Sequence, residues 1–190
     1  MQFNHQKGPD MTMLRTTVAV FAIGFVFLCI PAGAQTQQAS PQAELLKDWT
    51  ALKATMHGIA AEMPAEKYTF KPTPGQQTFG ERTVHVAGAN IEFLSMLGGK
   101  TPKPAIDPKA TGKDAALKAL DDSFDYGIAL LKEQTDETLR QLVASPPQFM
   151  GPSSRARFVT FLAGHAWDIY GQLVVYLRLN GLVPPASRKM

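Results

Sequence analysis

The sequence predicts an all-α fold: a four-helix bundle with a long crossover connection. Three observations predict it. Apolar residues recur at intervals of three and four in four separate segments, each bounded by helix start and stop signals. No stretch alternates apolar and polar residues as a half-buried strand does, and no segment repeats another. Between the second and third segments, Lys100 to Gly112 holds three prolines and no periodicity, the length of a surface crossover in bundles with a long connection. At 190 residues, with 45% hydrophobic and 18% charged content, the chain suffices for one domain with a core of its own. That domain is expected over residues 40–185, its four main helices packed as an antiparallel bundle.

The first helix opens at Ser40-Pro41, an N-cap residue followed by proline at the first helical position. Its buried stripe is Leu45, Trp49, Leu52, Met56, Ile59 and Met63, with His57 a surface histidine beside it. Pro64 ends it, and Tyr68 to Gln77, with Pro72, Pro74 and Gly75, is irregular, Phe70 plugging one end of the bundle. Thr78 and Glu81 form a capping box for the second helix, whose inner face carries Phe79, Val86, Phe93 and Leu97 before Gly98-Gly99 stop it. Thr111 with Asp114 caps the third, in which Leu117, Leu120, Phe124, Ile128 and Leu131 recur helically. Asp121, Asp122 and Asp125 lack the glycine and spacing of a calcium loop and read as a solvated face. Leu139, Leu142 and Val143 add a short turn before the last helix, whose inner face is Phe158, Phe161, Leu162, His165, Ile169, Leu173, Tyr176 and Leu177. Asn180-Gly181 supply its left-handed end, and Pro184-Pro185 prevent its resumption.

Residues 1–34 read as a signal peptide. Lys7 and Arg15 flank an uncharged apolar run from Val18 to Ile30, and Ala32-Gly33-Ala34 is a cleavage pattern that leaves Gln35 as the new N-terminus. Met11 or Met13 gives a leader of more ordinary length. The apolar run is shorter than the roughly 20 residues a membrane span needs, so no span is expected after cleavage. The expected location is periplasmic or secreted. Cys29, the one cysteine, leaves with the leader, which excludes disulfides and thiolate metal sites from the mature chain. Lys7, Arg15 and Asp10 leave too, so nineteen basic and sixteen acidic residues become seventeen and fifteen, spread without a basic run. That distribution argues against a nucleic-acid partner.

The run His165-Ala166-Trp167-Asp168-Ile169-Tyr170-Gly171-Gln172, followed by Tyr176-Leu177-Arg178 and Gly181 to Pro185, resembles the C-terminal helix of the DinB-like four-helix proteins. Tyr68-Thr69-Phe70-Lys71-Pro72 resembles the family's aromatic-Lys-Pro connection, and Phe79 to Ala87 its first metal-ligand segment. The resemblance implies a divalent metal, zinc or nickel, held by one histidine of the second helix and two of the last. His85 and His165 match two of these positions; Ile169 stands where the third histidine is expected. If the two helices run in the same direction, the histidines lie roughly 10 and 16 Å from their helix starts, a gap that side-chain reach closes. Asp168, three residues after His165, is the carboxylate placed to complete a two-imidazole, one-carboxylate set. The same residues also serve, with no metal, as buried hydrogen-bonded histidines, with Asp168 the partner of one of them or of Arg178.

Characterised members of that family are metal-dependent transferases or isomerases that use small cellular thiols, which an exported protein seldom meets. Two function classes therefore stand. One is an exported binding or interaction module with a degenerate two-histidine form of the metal site. The other is a metal-dependent transferase- or hydrolase-type enzyme using His85, His165 and Asp168. Arg155 and Arg157, in the first turn of the last helix where the dipole disfavours cations, either pair with acids such as Asp136 or Glu137 or, with Trp167, face an anionic small-molecule ligand at the bundle's mouth. The family often pairs through its helices, and Gly171, Tyr170, Val174 and Val175 are expected on a homodimer face.

Overall fold

The computed structural model describes residues 39–188. The leader expected over residues 1–34, with Met11, Met13, Cys29 and the cleavage pattern, lies outside them. Helix α1 spans Pro41–Glu62, α2 Phe79–Ser95, α3 Lys113–Glu133, α4 Asp136–Arg140 and α5 Arg155–Leu179, with short 3-10 turns at Ala65–Lys67 and Pro185–Ser187. Among the described residues the only β pairing is an isolated bridge between Leu142 and Ser154. No described helix is long and apolar enough to cross a membrane.

Local chemistry explains most of the boundaries. Ser40 caps α1 by accepting from the Ala43 amide at 3.3 Å, and Asp136 braces the same end through the Ser40 hydroxyl at 2.7 Å and the Gln42 amide at 2.8 Å. At α2 the capping box is complete: the Glu81 amide donates to Thr78 Oγ1 at 3.1 Å, and the Thr78 amide to Glu81 Oε2 at 2.6 Å. The carbonyls of Tyr68 and Phe70 accept from the amides of Gly80 and Phe79, both at 2.9 Å, so the irregular connection is itself part of the cap. After α5, Gly181 takes φ 72° and its amide donates to the Arg178 carbonyl at 3.0 Å. The third helix starts differently from expectation. Gly112, with no side-chain cap, is its N-cap, because the Thr111 carbonyl is pressed against α2 at Gly80.

The four long helices form a ring in which α1 packs on α3, α3 on α2, α2 on α5 and α5 on α1. Their directions correct the expectation of an antiparallel bundle. Lys53 pairs with Asp125 at 2.6 Å and His57 with Asp121 at 3.0 Å, which makes α1 and α3 antiparallel. By contrast, Gly80 meets Thr111, Asn90 donates to Ser123 at 3.2 Å, and Gly99 lies against Leu130 and Glu133. These matches ascend together, so α2 and α3 run parallel. Residues 96–112 therefore return along the bundle's length before α3 can begin. Tyr176 stacks near Phe79, and Phe158 near Phe93, so α2 and α5 are antiparallel rather than co-directional. The order is up, down, down, up.

The core joins all four helices through Trp49, Met56, Phe79, Leu94, Leu120, Phe124, Phe158 and Leu162, each no more than 1% exposed. Trp49 packs on Phe124 at 5.0 Å and donates its indole N–H to the Phe124 carbonyl at 3.1 Å. Tyr68, also buried, donates its hydroxyl to the Ala60 carbonyl at 2.8 Å, and burial pushes its phenol pKa well above the usual range. Two phenylalanines of the expected inner stripes, Phe93 and Phe161, are only partly covered, Phe161 remaining 38% exposed. Both stand in the space between α2 and α5.

A Cβ at Gly80 would overlap the Thr111 carbonyl oxygen, which is backbone and has little freedom to yield. Gly80→Ala is expected to destabilise the domain by about 1–3 kcal/mol. A urea midpoint equal to that of the wild-type protein would show that the contact tolerates a methyl group.

Candidate functional site

The antiparallel faces of α2 and α5 leave a cleft of about 620 Å³. Its walls come from α2 (Glu81, Val84, Ala89, Phe93) and α5 (Phe161), with Pro108 of the crossover on a further side. The cleft is where chemistry gathers. His85, one and a half turns into α2, and His165, in the middle of α5, both line it, and their Nε2 atoms are 3.1 Å apart. The ring centroids are 5.0 Å apart and the planes 62° to one another, an edge-on approach in which one Nε2–H points at the other's lone pair.

The proton's position follows from burial. His165 Nδ1 is buried with no hydrogen-bond partner, and folded proteins leave a buried N–H orphaned more rarely than they leave a buried acceptor under-satisfied. The neutral His165 ring therefore keeps its lone pair on Nδ1, carries its hydrogen on Nε2 and donates it to His85 Nε2. His85 is exposed, so its own Nδ1–H reaches water. Burial holds the His165 pKa below the ordinary histidine value; the neighbouring His85 and Arg82 push the same way, and Asp168 opposes them.

The other expected site residues are placed apart from this pair. Asp168 is exposed and accepts from the Gln172 side chain, one turn on, at 2.9 Å. Ile169 is 2% exposed and packs in the core. Arg155 Nη1 donates to Gln134 Oε1 at 3.0 Å, and Arg157 Nη1 to the Met150 carbonyl at 2.7 Å and Ser153 Oγ at 2.6 Å. Arg155 thus ties the start of α5 to the end of α3, Arg157 holds the connection between α4 and α5, and Asp136 is engaged at α1 instead. Trp167, 51% exposed, stacks edge-on against Tyr170 at 5.4 Å.

Three further residues belong to the site. Glu81 and Glu92 line the cleft four residues before and seven after His85, the spacing that places them on its helix face. Phe149, in the connection before α5, stacks on Phe93 at 6.2 Å and Phe161 at 5.8 Å, extending the aromatic wall outward. Helical spacing from His85 reveals the two carboxylates; no local pattern reveals Phe149.

The donor set fits a divalent metal in part. Two imidazole nitrogens on one zinc, each at about 2.0–2.1 Å, lie roughly 2.9–3.4 Å apart, and His85 and His165 have that spacing. For His165 to bind through Nε2, however, its hydrogen must move to Nδ1, where no acceptor waits, and metal-bound histidines ordinarily have one. Ile169, at the position where the resemblance implies a third histidine, is packed in the core.

Because native His165 resists protonation, it binds fewer protons folded than unfolded. Its contribution is fully present above the unfolded pKa of 6.5 and is lost as pH falls through the lower folded value. The urea midpoint is expected to fall between about pH 7.5 and pH 5, and His165→Gln to reduce that fall. Identical pH dependence in the two proteins would contradict the assignment.

Comparison with known proteins agrees with the geometry. The DinB superfamily model matches residues 48–173. A solved DinB-like protein from Bacillus cereus ATCC 10987 is 22% identical, with a TM-score of 0.66 over 75% of this chain and 95% of that one. Another, from Bacillus subtilis, is 13% identical, with a TM-score of 0.59 over 77% of this chain and 99% of that one. At these identities the likeness concerns the fold. No curated protein matches the chain. With its family pattern spanning α1 to α5 and its bundle shared with those two proteins, this chain belongs to the DinB superfamily.

Proposed function

We propose that this chain is an exported DinB-like binding module whose α2–α5 cleft holds a small molecule, with His85 and His165 as a degenerate, two-imidazole form of the family's divalent-metal site. The observation that carries this reading is the 3.1 Å approach of the two Nε2 atoms inside a cleft of about 620 Å³. Two imidazoles offer a metal half of a tetrahedral set, and the His165 tautomer opposes even that. Each protein ligand contributes several kcal/mol to sites worth about 10 kcal/mol or more, so this pair binds zinc or nickel weakly.

Protein purified without added metal is expected to carry well under one equivalent. Added zinc should bind reversibly, His85→Ala should remove that binding, and Ile169→His, once shown by its melting curve to be folded, should raise the affinity by at least about tenfold. A stoichiometric metal released by Asp168→Ala would instead favour a metal-dependent transferase- or hydrolase-type enzyme using His85, His165 and Asp168. Unchanged metal binding in every variant would remove both readings.

Export rests on the basic flank, apolar run and Ala-Gly-Ala of residues 1–34. Pairing of two copies rests on the outer stripe of α5, where Trp167, Val175 and Leu179 are 51%, 51% and 59% exposed at four-residue intervals with Gly171 between them. Native mass spectrometry of protein extracted from the cell envelope is expected to show a particle of two chains, each beginning at Gln35. A monomer would remove the pairing, and an intact leader would remove the export.

A further inference from the structure

The cleft has a charge character that the chain as a whole lacks. The protein's formal net charge is +3, yet among the described residues lining the cleft there are two carboxylates, Glu81 and Glu92, and no lysine or arginine. Glu81 stays ionised because the Thr78 backbone and hydroxyl hydrogen bonds of the capping box hold its pKa below the usual carboxylate range. Glu92 is exposed, and no described side chain pairs with its carboxylate.

Beside Glu92 stand the rings. Phe93 and Phe161 are 5.5 Å apart, and Phe149, 69% exposed, lies within 6.2 Å of both, making a triangle whose outer member water reaches. Exposing a phenylalanine to this extent leaves apolar surface that a ligand can cover. An aromatic face next to an unpaired carboxylate attracts positive charge through the ring quadrupole and through direct ion pairing, and it repels anions.

We propose that the cleft takes an organic cation, a ligand with an ammonium group held by Glu92 over the Phe93–Phe149–Phe161 wall and an apolar body lying along Val84 and Ala89. This inference rests on the reading of the cleft as a ligand site and names the class of ligand. It also reverses the charge expected of a ligand from Arg155 and Arg157, whose guanidiniums are turned to Gln134 at the end of α3 and to the Met150 carbonyl of the α4–α5 connection.

Three compounds of similar size separate the possibilities: phenethylamine as the cation, hydrocinnamyl alcohol as the neutral compound and hydrocinnamate as the anion. Each would be titrated into the full chain in the presence of a chelator, following the imidazole resonances of His85 and His165 by NMR. Phenethylamine is expected to bind about three- to tenfold more tightly than the alcohol, and hydrocinnamate to bind least. Glu92→Gln should remove most of the preference for the cation over the alcohol, and Phe161→Ala should weaken both. Equal or tighter binding of the alcohol or of hydrocinnamate would overturn the inference and leave the cleft as a ligand site, as would an unchanged preference in Glu92→Gln. If none of the three shifts either resonance, the inference and the ligand-site reading fall together.

Discussion

The parallel packing of α2 on α3 is the constraint on which the rest of the structure depends. Two consecutive helices can be parallel neighbours only if the chain between them returns along the bundle, and residues 96–112 make that return. Both of its ends are tied. Glu133, at the end of α3, accepts from the amides of Lys100 and Thr101 at 2.6 and 2.9 Å, while the Thr111 carbonyl rests on Gly80 where only a hydrogen fits. Between them the buried Asn90–Ser123 hydrogen bond links the two helices at mid-height. The crossover also supplies Pro108 to the cleft, so the connection that sets helix direction also closes one side of the site.

With α2 and α3 descending together, α5 can rise against α2, and this pairing places His85 opposite His165. The two residues have unequal surroundings. His85 is exposed, whereas His165 has a buried, unpartnered nitrogen, so the pair is polarised before any ligand arrives: His165 donates and His85 accepts. A metal would have to reverse His165's tautomer, while a ligand that hydrogen-bonds to the exposed side of His85 leaves it undisturbed. The same asymmetry that weakens a metal site therefore suits a neutral, hydrogen-bonded floor for an apolar cleft.

Helix boundaries were legible in the sequence because capping is local: Ser40, the Thr78–Glu81 pair and Gly181 act within a few residues of themselves. The start of α3 was less so, since Gly112 replaces Thr111 as cap through a contact with α2 that no neighbouring residue announces. Helix direction was not legible at all. Spacings of three and four read the same in both directions, and the up-down-down-up order appears only when the crossover's length is combined with contacts such as Gly80 with Thr111. At the site, the placement of His85 and His165 on two helices could be read from spacing and resemblance. The exposed side of the cleft could not, because Phe149 lies in a non-periodic segment and meets Phe93 across more than a third of the domain's sequence.

The arginines at the start of α5 show how a local rule is broken for a reason at longer range. Cations are unfavourable in a first helical turn, by a few tenths of a kcal/mol at an exposed site. Arg155 and Arg157 nevertheless stand there: Arg155 bonds Gln134 at the end of α3, and the bonds of Arg157 to Ser153 and the Met150 carbonyl fold the preceding connection back onto the bundle. That connection carries Phe149 next to Met150, and the small Leu142–Ser154 bridge closes its base. Arg157, which looks from sequence like a ligand contact, therefore acts on the cleft indirectly: it positions the loop that brings the third ring to Phe93 and Phe161. The unfavourable charge placement and the exposed aromatic wall are two consequences of one loop conformation.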